Sequence, residues 1–551
     1  MRSLRRALRC GLVAALAALT IAAPSSAEPG YPRLMGNYLE QHTLPSVDVL
    51  ARYDVLVIDN EWAHRSPEVF AQIRAKNPDI KILAYICWVD RTDNFASPTN
   101  GPWWSNRDQY LAQIPEQWLA KRANGSYVSE WPGSTMINLT DRAPLVNGRQ
   151  AWRFAADWTV DHIWATGKWD GIMLDVWGDR IWNNDAQSWD VDRNGSDESG
   201  SALYGDGSPW QRGIDASEKV MRLRMGPGAI LVANNTRNLV AGQLSGRMFE
   251  DFDEIDFLGR QWGWDTPGSI NAATDPNAAS SKITLNVNHR LPGVTGALGS
   301  NDLRRARYFL TSTLLGNAYW GGTGQDYNEL PYYDEYDGAG KLGTKYLGAP
   351  EVANPNWGDV DRPFVDGSGK YPNGVYRRDF AGGIALTNPT GSSQTVTLER
   401  PYRKLQGVQD PKTNDGSLAT QVSVPSHDGL VLVSIATGSS PPAPPSLALP
   451  APSPLPSPTQ VVTRPPLETV SAPIATPLLA TIPGPPDATT GIAAPPLVPQ
   501  IIGPARGLEE VLPTRVVSPQ PATRSTPNTR ATKTRRVRPR PIRSTRKPRK
   551  R

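Results

Sequence analysis

Two carboxylic acids stand out because each closes an apolar run of the β type. Asp175 follows Trp169–Leu174, and Glu250 follows Met248 and Phe249. An ionised carboxylate can act as a nucleophile or base, and a carboxyl group in an apolar setting has a raised pKa and can donate a proton. Together the two groups have the chemistry that cleaves a glycosidic bond. We expect Asp175 to be the ionised group and Glu250 the proton donor.

Each assignment has an alternative. Asp175 could cap the following helix, and Glu250 could form an ion pair with Arg247. Asp251 competes with Glu250, because a shift of one residue in strand register exchanges the side chain that faces inward. Glu61 is a second candidate for the proton donor.

Polar and aromatic side chains follow other apolar runs and are expected to bind the substrate. Amides hydrogen-bond to hydroxyl groups, and indole rings stack on the apolar face of a sugar. For each tryptophan, packing within the fold is the alternative. The expected substrate-binding residues are Asp59, Glu61, Trp62, Trp88, Trp177, Asp179, Asn234, Asp251, Asn286 and Trp320.

One acidic loop resembles the start of a calcium-binding loop. Asp190, Asp192 and Asn194 occur in the pattern D-x-D-x-N-G, although Ser201 takes the place of the usual glutamate. A structural calcium ion is one interpretation, and a solvated acidic turn is the other. We expect no other metal or cofactor, because zinc-site spacing, phosphate loops and dinucleotide fingerprints are missing from the sequence.

Short apolar runs alternate with helical patterns, which predicts a parallel α/β fold. Eight such runs with intervening helices favour a closed (β/α)8 TIM barrel, whose active site lies at the carboxyl ends of the strands. The connection Asn235–Gly246 leaves room for only a short helix. The predicted strands are Leu34–Leu39, Val55–Asp59, Ile82–Trp88, Gly171–Val176, Ala229–Asn234, Arg247–Phe252, Ile283–Val287 and Ala318–Gly321.

Composition divides the rest of the chain. Residues 28–357 contain all eighteen tryptophans and are expected to form the catalytic barrel. Residues 358–437 contain short β-type runs between turns, which predicts a small all-β, sandwich-like domain. Residues 438–523 are rich in proline and contain no aromatic residue, so we expect a disordered linker. Residues 524–551 should form a basic, disordered tail.

Residues 1–27 resemble a signal peptide. Four arginines lie around the start of an apolar stretch, and small residues precede Ala27. We therefore expect a secreted, extracellular protein, with an uncleaved membrane anchor as the alternative. Cys87 would then be the one cysteine left, and its apolar surroundings favour a buried hydrophobic role.

The net charge of +5 hides an uneven distribution. The tail 524–551 carries thirteen basic residues and no acid, and residues 1–27 carry four arginines and no acid, so residues 28–523 carry −12. An acidic body argues against nucleic-acid binding by the folded part. The tail is suited to acidic cell-surface polymers, and a merely solvated tail is the alternative.

Six segments form an ordered series: YDVLVID, KILAYI, WDGIMLD, VANN, G-x-MFEDF and YWGG. This series resembles glycoside hydrolases with (β/α)8 barrels that are distantly related to endo-α-1,4-polygalactosaminidases. The resemblance covers about residues 31–435, and W-D-G-I-x-L-D is its most specific motif.

The resemblance implies roles for two residues. In related α-glycosidase barrels an Asp at the end of the fourth strand is the nucleophile, and a carboxylate at the end of the sixth is the acid/base. Asp175 and Glu250 fall at these positions. The implied substrate is an α-linked polysaccharide, with amino sugars as one option. Retention of configuration would follow if the carboxyl groups are about 5–5.5 Å apart rather than about 6.5–9.5 Å.

Two rival interpretations belong to other classes. The chain could be a non-catalytic, extracellular carbohydrate-binding protein on a degenerate barrel, although binding alone needs no paired Asp175 and Glu250. It could also be a cell-surface structural protein whose tail is the main functional element. An enzyme should keep its activity on soluble substrate when residues 438–551 are deleted.

Overall fold

The computed structural model describes residues 30–92, 106–181, 183–234, 239–253, 265–290 and 296–435. The expected signal peptide (1–27), linker (438–523) and basic tail (524–551) lie outside these ranges. None of the described helices is long and apolar enough to cross a membrane.

Eight parallel strands within the described ranges form one sheet, in which spatial order follows sequence order. The sheet closes where Leu34 pairs with Trp320, next to its first and last strands. This arrangement confirms the predicted TIM barrel. The strands are β1 Met35–Tyr38, β2 Val55–Asp59, β3 Lys81–Ile86, β4 Gly171–Leu174, β5 Ile230–Asn234, β6 Gly246–Glu250, β7 Leu285–His289 and β8 Tyr319–Thr323.

The barrel interior is filled by every second side chain of these strands. Because successive side chains of a strand point to opposite faces, alternate residues enter the barrel and the others meet the surrounding helices. The inward side chains form one apolar cluster below the carboxyl ends of the strands. Its members are Met35, Leu39, Val55, Val57, Leu83, Met173, Ile230, Val232, Met248, Ile283, Leu285, Val287 and Tyr327.

Helices connect the strands. The longest described helix begins with Pro209, and the hydroxyl of Ser208 caps it by accepting from the backbone of Gln211 at 3.1 Å. Of the β5–β6 connection, residues 239–245 are described and contain a turn without a helix. The helices are α1 Val47–Leu50, α2 Trp62–Arg65, α3 Val69–Lys76, α4 Asn106–Leu111, α5 Ala151–Trp158, α6 Gly200–Leu203, α7 Pro209–Met225, α8 Thr266–Thr274, α9 Ser300–Leu314 and α10 Trp357–Val360.

An antiparallel sheet follows the barrel, which confirms the predicted all-β region. The described strands pair in the order β9-β10-β11-β14-β12-β13. The register of β12 is interrupted between Thr397 and Tyr402, and one apolar cluster joins side chains from both parts of the sheet. The strands are β9 Ser368–Lys370, β10 Tyr376–Phe380, β11 Gly383–Asn388, β12 Gln394–Lys404, β13 Leu418–Val424 and β14 Asp428–Ser434.

The β-sheet packs against α9 of the barrel, and a buried ion cluster marks this junction. Arg307 of α9 donates two hydrogen bonds of 2.9 Å to Asp428 and one of 2.8 Å to Asp410. The side chains of Arg307 and Asp428 are 4% and 2% exposed. The helix and strand approach so closely that a Cβ atom at Gly429 would lie 2.0 Å from the hydroxyl of Thr311. These contacts fix the β-sheet to the barrel.

Candidate active site

The carboxyl ends of six described strands bring polar side chains to one opening, here called the barrel mouth. Each of these side chains follows an inward-facing apolar residue by two positions, so each points into the barrel. The active site of a TIM barrel occupies this end. The mouth residues are Asp59, Tyr85, Asp175, Asn234, Glu250 and His289.

The amide of Asn234 links the two carboxylates that the sequence singled out. Its Nδ2 donates to Oδ1 of Asp175 at 3.0 Å and to Oε2 of Glu250 at 2.8 Å. Because both oxygens bond to one nitrogen, they lie no more than the sum of these distances, 5.8 Å, apart. The structure therefore brings Asp175 and Glu250 together across the mouth.

Asp175 is held by donors from three directions. The hydroxyl of Tyr85 donates to Oδ2 at 2.7 Å, and the backbone amide of Val176 donates to Oδ1 at 2.8 Å, in addition to Asn234. Val176 has a φ of +53°, which is strained for a β-branched residue. The helix-capping alternative does not apply, because no described helix begins directly after Asp175.

Glu250 is also surrounded by polar partners. Besides Asn234, it accepts a hydrogen bond from the hydroxyl of Tyr327 and contacts Nε2 of His289 at 3.3 Å, both at Oε1. Arg247 points away on the opposite face of β6 and pairs with Asp275 at 3.6 Å. The ion-pair alternative for Glu250 therefore lacks support.

The register of β6 decides which of two acids faces the mouth. Glu250 shares the inward face with Met248, whereas Asp251 follows the strand with a φ of +49°. Burial raises the pKa of Asp251 to about 6, and the charge of Glu250 adds to this effect while the charge of His289 opposes it. Asp251 thus lies beside the mouth pair without replacing Glu250.

Asp59 and Glu61 form a second acidic pair at the end of β2. Asp59 accepts from the amide of Glu61 at 2.9 Å and from Gln41 at 2.8 Å. Burial raises the pKa of Asp59. Burial and the charge of Asp59 raise the pKa of Glu61 to about 8, although the backbone of Arg107 donates to its Oε1 at 3.3 Å. Glu61 is therefore a carboxyl group that holds its proton to higher pH than an exposed glutamate does.

The four tryptophans expected as sugar platforms are buried, which favours the packing alternative. Each is at most 5% exposed, and each indole N–H is bonded inside the fold. The acceptors are Glu40 O for Trp62, Thr159 Oγ1 for Trp88, Glu218 Oε1 for Trp177 and Asn288 Oδ1 for Trp320. These rings pack the barrel wall instead.

Two other expected binding residues make their contacts outside the pair. Asn286 occupies the outward face of β7, fully buried, where it accepts from Ser269 and donates to Thr313, both at 2.9 Å. The helix layer covers Asn286, which does not favour a role in substrate binding. Asp179 lies in the loop after β4, partly exposed, with Arg180 at 3.8 Å.

The acidic loop at Asp190 is closed by its own backbone. Asp190 accepts from the amides of Asn194 at 2.9 Å and Gly195 at 2.8 Å, and Asp192 accepts from Asn194 at 3.3 Å. In the described ranges, no group of three or more His, Cys, Asp or Glu side chains is arranged to hold a metal ion. A calcium ion at Asp190, Asp192 and Asn194 stays a prediction.

Sequence reasoning missed several residues of this region. Tyr85 and His289 occupy inward-facing positions of their strands. The alternation of side chains would indicate this, but buried residues on both faces of each strand hide the alternation. Tyr327 and Glu130 come from long loops without any periodic pattern. Burial, followed by the charges of Asp90 and Asp175, raises the pKa of Glu130 to about 8.

A closed parallel barrel whose mouth carries two bridged carboxylates has the architecture of the TIM-barrel glycoside hydrolases. The model of hypothetical glycosyl hydrolase family 15 matches residues 74–384. The chain therefore belongs to this family of glycoside hydrolases.

Other comparisons give more distant similarities. No curated protein matches the sequence. A pullulanase from Paenibacillus barengoltzii in complex with maltotriose is similar with 9% identity and a TM-score of 0.36, covering 74% of this chain and 79% of its own. The isomaltulose synthase SmuA from Protaminobacter rubrum is similar with 9% identity and a TM-score of 0.36, covering 74% of this chain and 98% of its own.

Proposed function

We propose that the protein hydrolyses α-linked glycosidic bonds of a polysaccharide with retention of configuration. The nucleophile is Asp175, and the general acid/base is Glu250. The observation that carries this proposal is the amide of Asn234, which bonds to both carboxylates and keeps their nearest bridged oxygens within 5.8 Å. This spacing favours the close pair of a retaining enzyme over the wider pair that leaves room for a water molecule.

The reaction proceeds in two displacements. In the first, Oδ1 or Oδ2 of Asp175 bonds to the anomeric carbon while the glycosidic oxygen leaves with a proton from Glu250. In the second, Glu250 takes a proton from water, whose oxygen bonds to the anomeric carbon and releases Asp175. Tyr85 and Asn234 orient the carboxylate of Asp175 throughout.

The linkage and the sugar rest on the resemblance to relatives of endo-α-1,4-polygalactosaminidases. That resemblance supports an α-linked substrate and includes amino sugars among the candidates. Glu130, whose pKa is raised by burial and by the charges of Asp90 and Asp175, adds an acidic group that suits a substrate with many hydrogen-bond donors.

A screen of the full chain against α-linked polysaccharides tests the proposal. New reducing ends should appear with one polymer, and both Asp175→Asn and Glu250→Gln should abolish them. Asp157→Asn on α5 and the exposed Glu116→Gln are matched controls outside the mouth and should keep wild-type rates. Binding without cleavage, unaffected by either mouth variant, would favour the carbohydrate-binding interpretation. Loss of activity in Glu61→Gln but not in Glu250→Gln would make Glu61 the acid.

Azide separates the two roles on an aryl glycoside of the sugar found. In Glu250→Ala, azide should restore turnover and give a glycosyl azide of retained configuration. In Asp175→Ala, azide should replace the missing carboxylate and give the inverted product. The opposite pattern would exchange the two assignments.

We further propose that the protein is exported and that its basic tail contacts acidic cell-surface polymers. The arginines and apolar stretch within residues 1–27 support export, and the thirteen basic residues of 524–551 support the contact. Amino-terminal sequencing of exported protein should begin at Glu28. Salt should release the full chain from cell envelopes, and a chain lacking 524–551 should not be retained.

A further inference from the structure

Glu250 has an unusual neighbour in His289. Nε2 of His289 lies 3.3 Å from Oε1 of Glu250, and the two side chains are only 6% and 10% exposed. The inward parity of β7 places the imidazole at the mouth, on the side of Glu250 away from Asn234. The contact between Glu250 and His289 is therefore shielded from water.

The other ring nitrogen fixes the tautomer of His289. Nδ1 lies 3.2 Å from the carbonyl oxygen of Gly324, and a carbonyl oxygen only accepts hydrogen bonds. Nδ1 must therefore carry a hydrogen. In neutral His289 this leaves a lone pair on Nε2 that faces Oε1 of Glu250. Because Oε1 already accepts from Tyr327, the proton that the contact needs belongs on Nε2.

Tyr327 completes the arrangement. Its hydroxyl donates to the same Oε1 of Glu250, and its ring contacts the imidazole edge-to-face, with centroids 4.5 Å apart and planes at 76°. Oε1 is thus occupied by Tyr327 and His289, whereas Oε2 faces Asn234 and the partner carboxylate. The two oxygens of Glu250 are not equivalent.

We propose that protonated His289 is a positioning residue that anchors Oε1 of Glu250 together with Tyr327, so that Oε2 alone exchanges a proton with the substrate. This inference rests on the proposed acid/base role of Glu250. When Nε2 loses its proton, two lone pairs face each other and the anchor fails. Activity should therefore fall as His289 deprotonates.

The charges around His289 support the protonated form. Burial lowers the pKa of His289, but its hydrogen bond with Glu250 and the charges of Asp251 and Glu250 outweigh burial and raise it. Arg305 of α9 donates to the carbonyl oxygen of His289, and its charge favours the ionised form of Asp251.

Two further groups near His289 are engaged elsewhere. Arg290 is paired with Glu329 and Asp302 at 3.0 and 3.4 Å, so its charge is matched locally. The amide of Asn234 lies between Asp175 and Glu250, the partner of His289. Below the raised pKa the anchor is present, and above it the anchor is lost.

Three variants test the anchor through the pH profile of kcat/KM. His289→Gln offers an N–H that cannot titrate, so it should keep activity at low pH and move the basic limb to higher pH. His289→Ala should lose about 10²-fold at low pH, where the wild type has its anchor, and less at high pH, since small misplacement of a catalytic group has effects of this size. Tyr327→Phe should lower activity and leave the basic limb of the profile at the same pH as in the wild type. His162→Gln on the outside of the barrel and Tyr376→Phe in the β-sheet, whose hydroxyl bonds to Asp361, are the matched controls.

A titration that needs no substrate separates this inference from the proposed function. In the full chain with ¹⁵N-labelled histidine, the signal missing from His289→Gln identifies His289 among the five histidines. It should titrate above pH 6.5 in the wild type and at lower pH in Glu250→Gln. Coupled titration without glycan cleavage would overturn the function alone. Cleavage with an uncoupled His289 and an unchanged profile in His289→Gln would overturn the anchor.

Discussion

The barrel mouth and the junction with the β-sheet both bury charged groups, but they neutralise them differently. At the junction, three hydrogen bonds of 2.8–2.9 Å join the guanidinium of Arg307 to Asp428 and Asp410. At the mouth, Asp175 and Glu250 share one neutral amide. The junction therefore matches charge with charge, whereas a neutral donor joins the two carboxylates that the proposed reaction uses.

The neighbours of buried acids show the same contrast. Burial raises the pKa of Asp428 at the junction, and the hydrogen bonds and charge of Arg307 oppose the rise. Near the mouth the neighbours of Glu61 and Glu130 include further acids, so their charges add to burial and the pKa of each reaches about 8. Perturbed groups that reinforce one another are typical of functional sites.

The largest effect on stability is expected at the junction. Arg307→Ala leaves Asp428 buried without its partner, so unfolding in urea should show a loss of about 3–5 kcal/mol. The exposed pair of Lys404 and Asp415 is the control, and Lys404→Ala should cost no more than about 1 kcal/mol. Equal losses of unfolding free energy in the two variants would show that the buried ion pair stabilises the fold no more than a surface pair does.

At the mouth, Asn234→Ala should affect the reaction more than the fold. Without the bridging amide the two carboxylates repel each other and lose their common orientation, so kcat should fall about 10²-fold, as for loss of one preorganised donor. The melting temperature should change little. A large loss of stability with unchanged kcat would place Asn234 in the same structural class as Arg307.

Trp320→Phe distinguishes wall packing from sugar binding. The indole is 1% exposed and donates to Asn288 at 2.9 Å, so the smaller ring should cost about 2 kcal/mol through lost volume and an unpaired acceptor. KM should stay within about twofold of the wild type, since KM reports ground-state binding. A raised KM with unchanged stability would restore the platform interpretation.

The effect expected at Glu61 depends on pH. Its pKa is raised in the folded state, so its contribution to stability is complete below pH 4.5 and is lost as pH rises toward 8. Glu61→Gln cannot ionise, so its stability relative to the wild type should grow by at most about 1.4 kcal/mol per pH unit across this window. Parallel stability curves for the two proteins would show that Glu61 is not perturbed.

The apolar runs predicted all eight barrel strands, because strands covered on both faces carry continuous apolar residues. The same continuity hid which face each residue takes. Asn286 lies between Leu285 and Val287, which both point into the barrel, so only the parity of β7 reveals that Asn286 points outward. The burial of Trp88 and Trp177 was hidden for a related reason, since a position near a strand end does not indicate burial against a helix.

The predicted positions of Asp175 and Glu250 at one opening needed only the fold, since parallel strands bring their carboxyl ends together. Their hydrogen-bond partners needed the structure. Tyr327 comes from the loop after β8, and its distance from Glu250 along the chain gives no pattern that a sequence can show.

Trapping the covalent intermediate tests the central claim most directly. A fluorinated glycosyl fluoride of the sugar that the polysaccharide screen identifies should inactivate the full chain, and mass spectrometry of its peptides should find one glycosyl group on Asp175. Glu250→Gln should slow this labelling, and Asp175→Asn should prevent it. A glycosyl group on another residue, or cleavage that proceeds with inversion and without any adduct, would contradict the account.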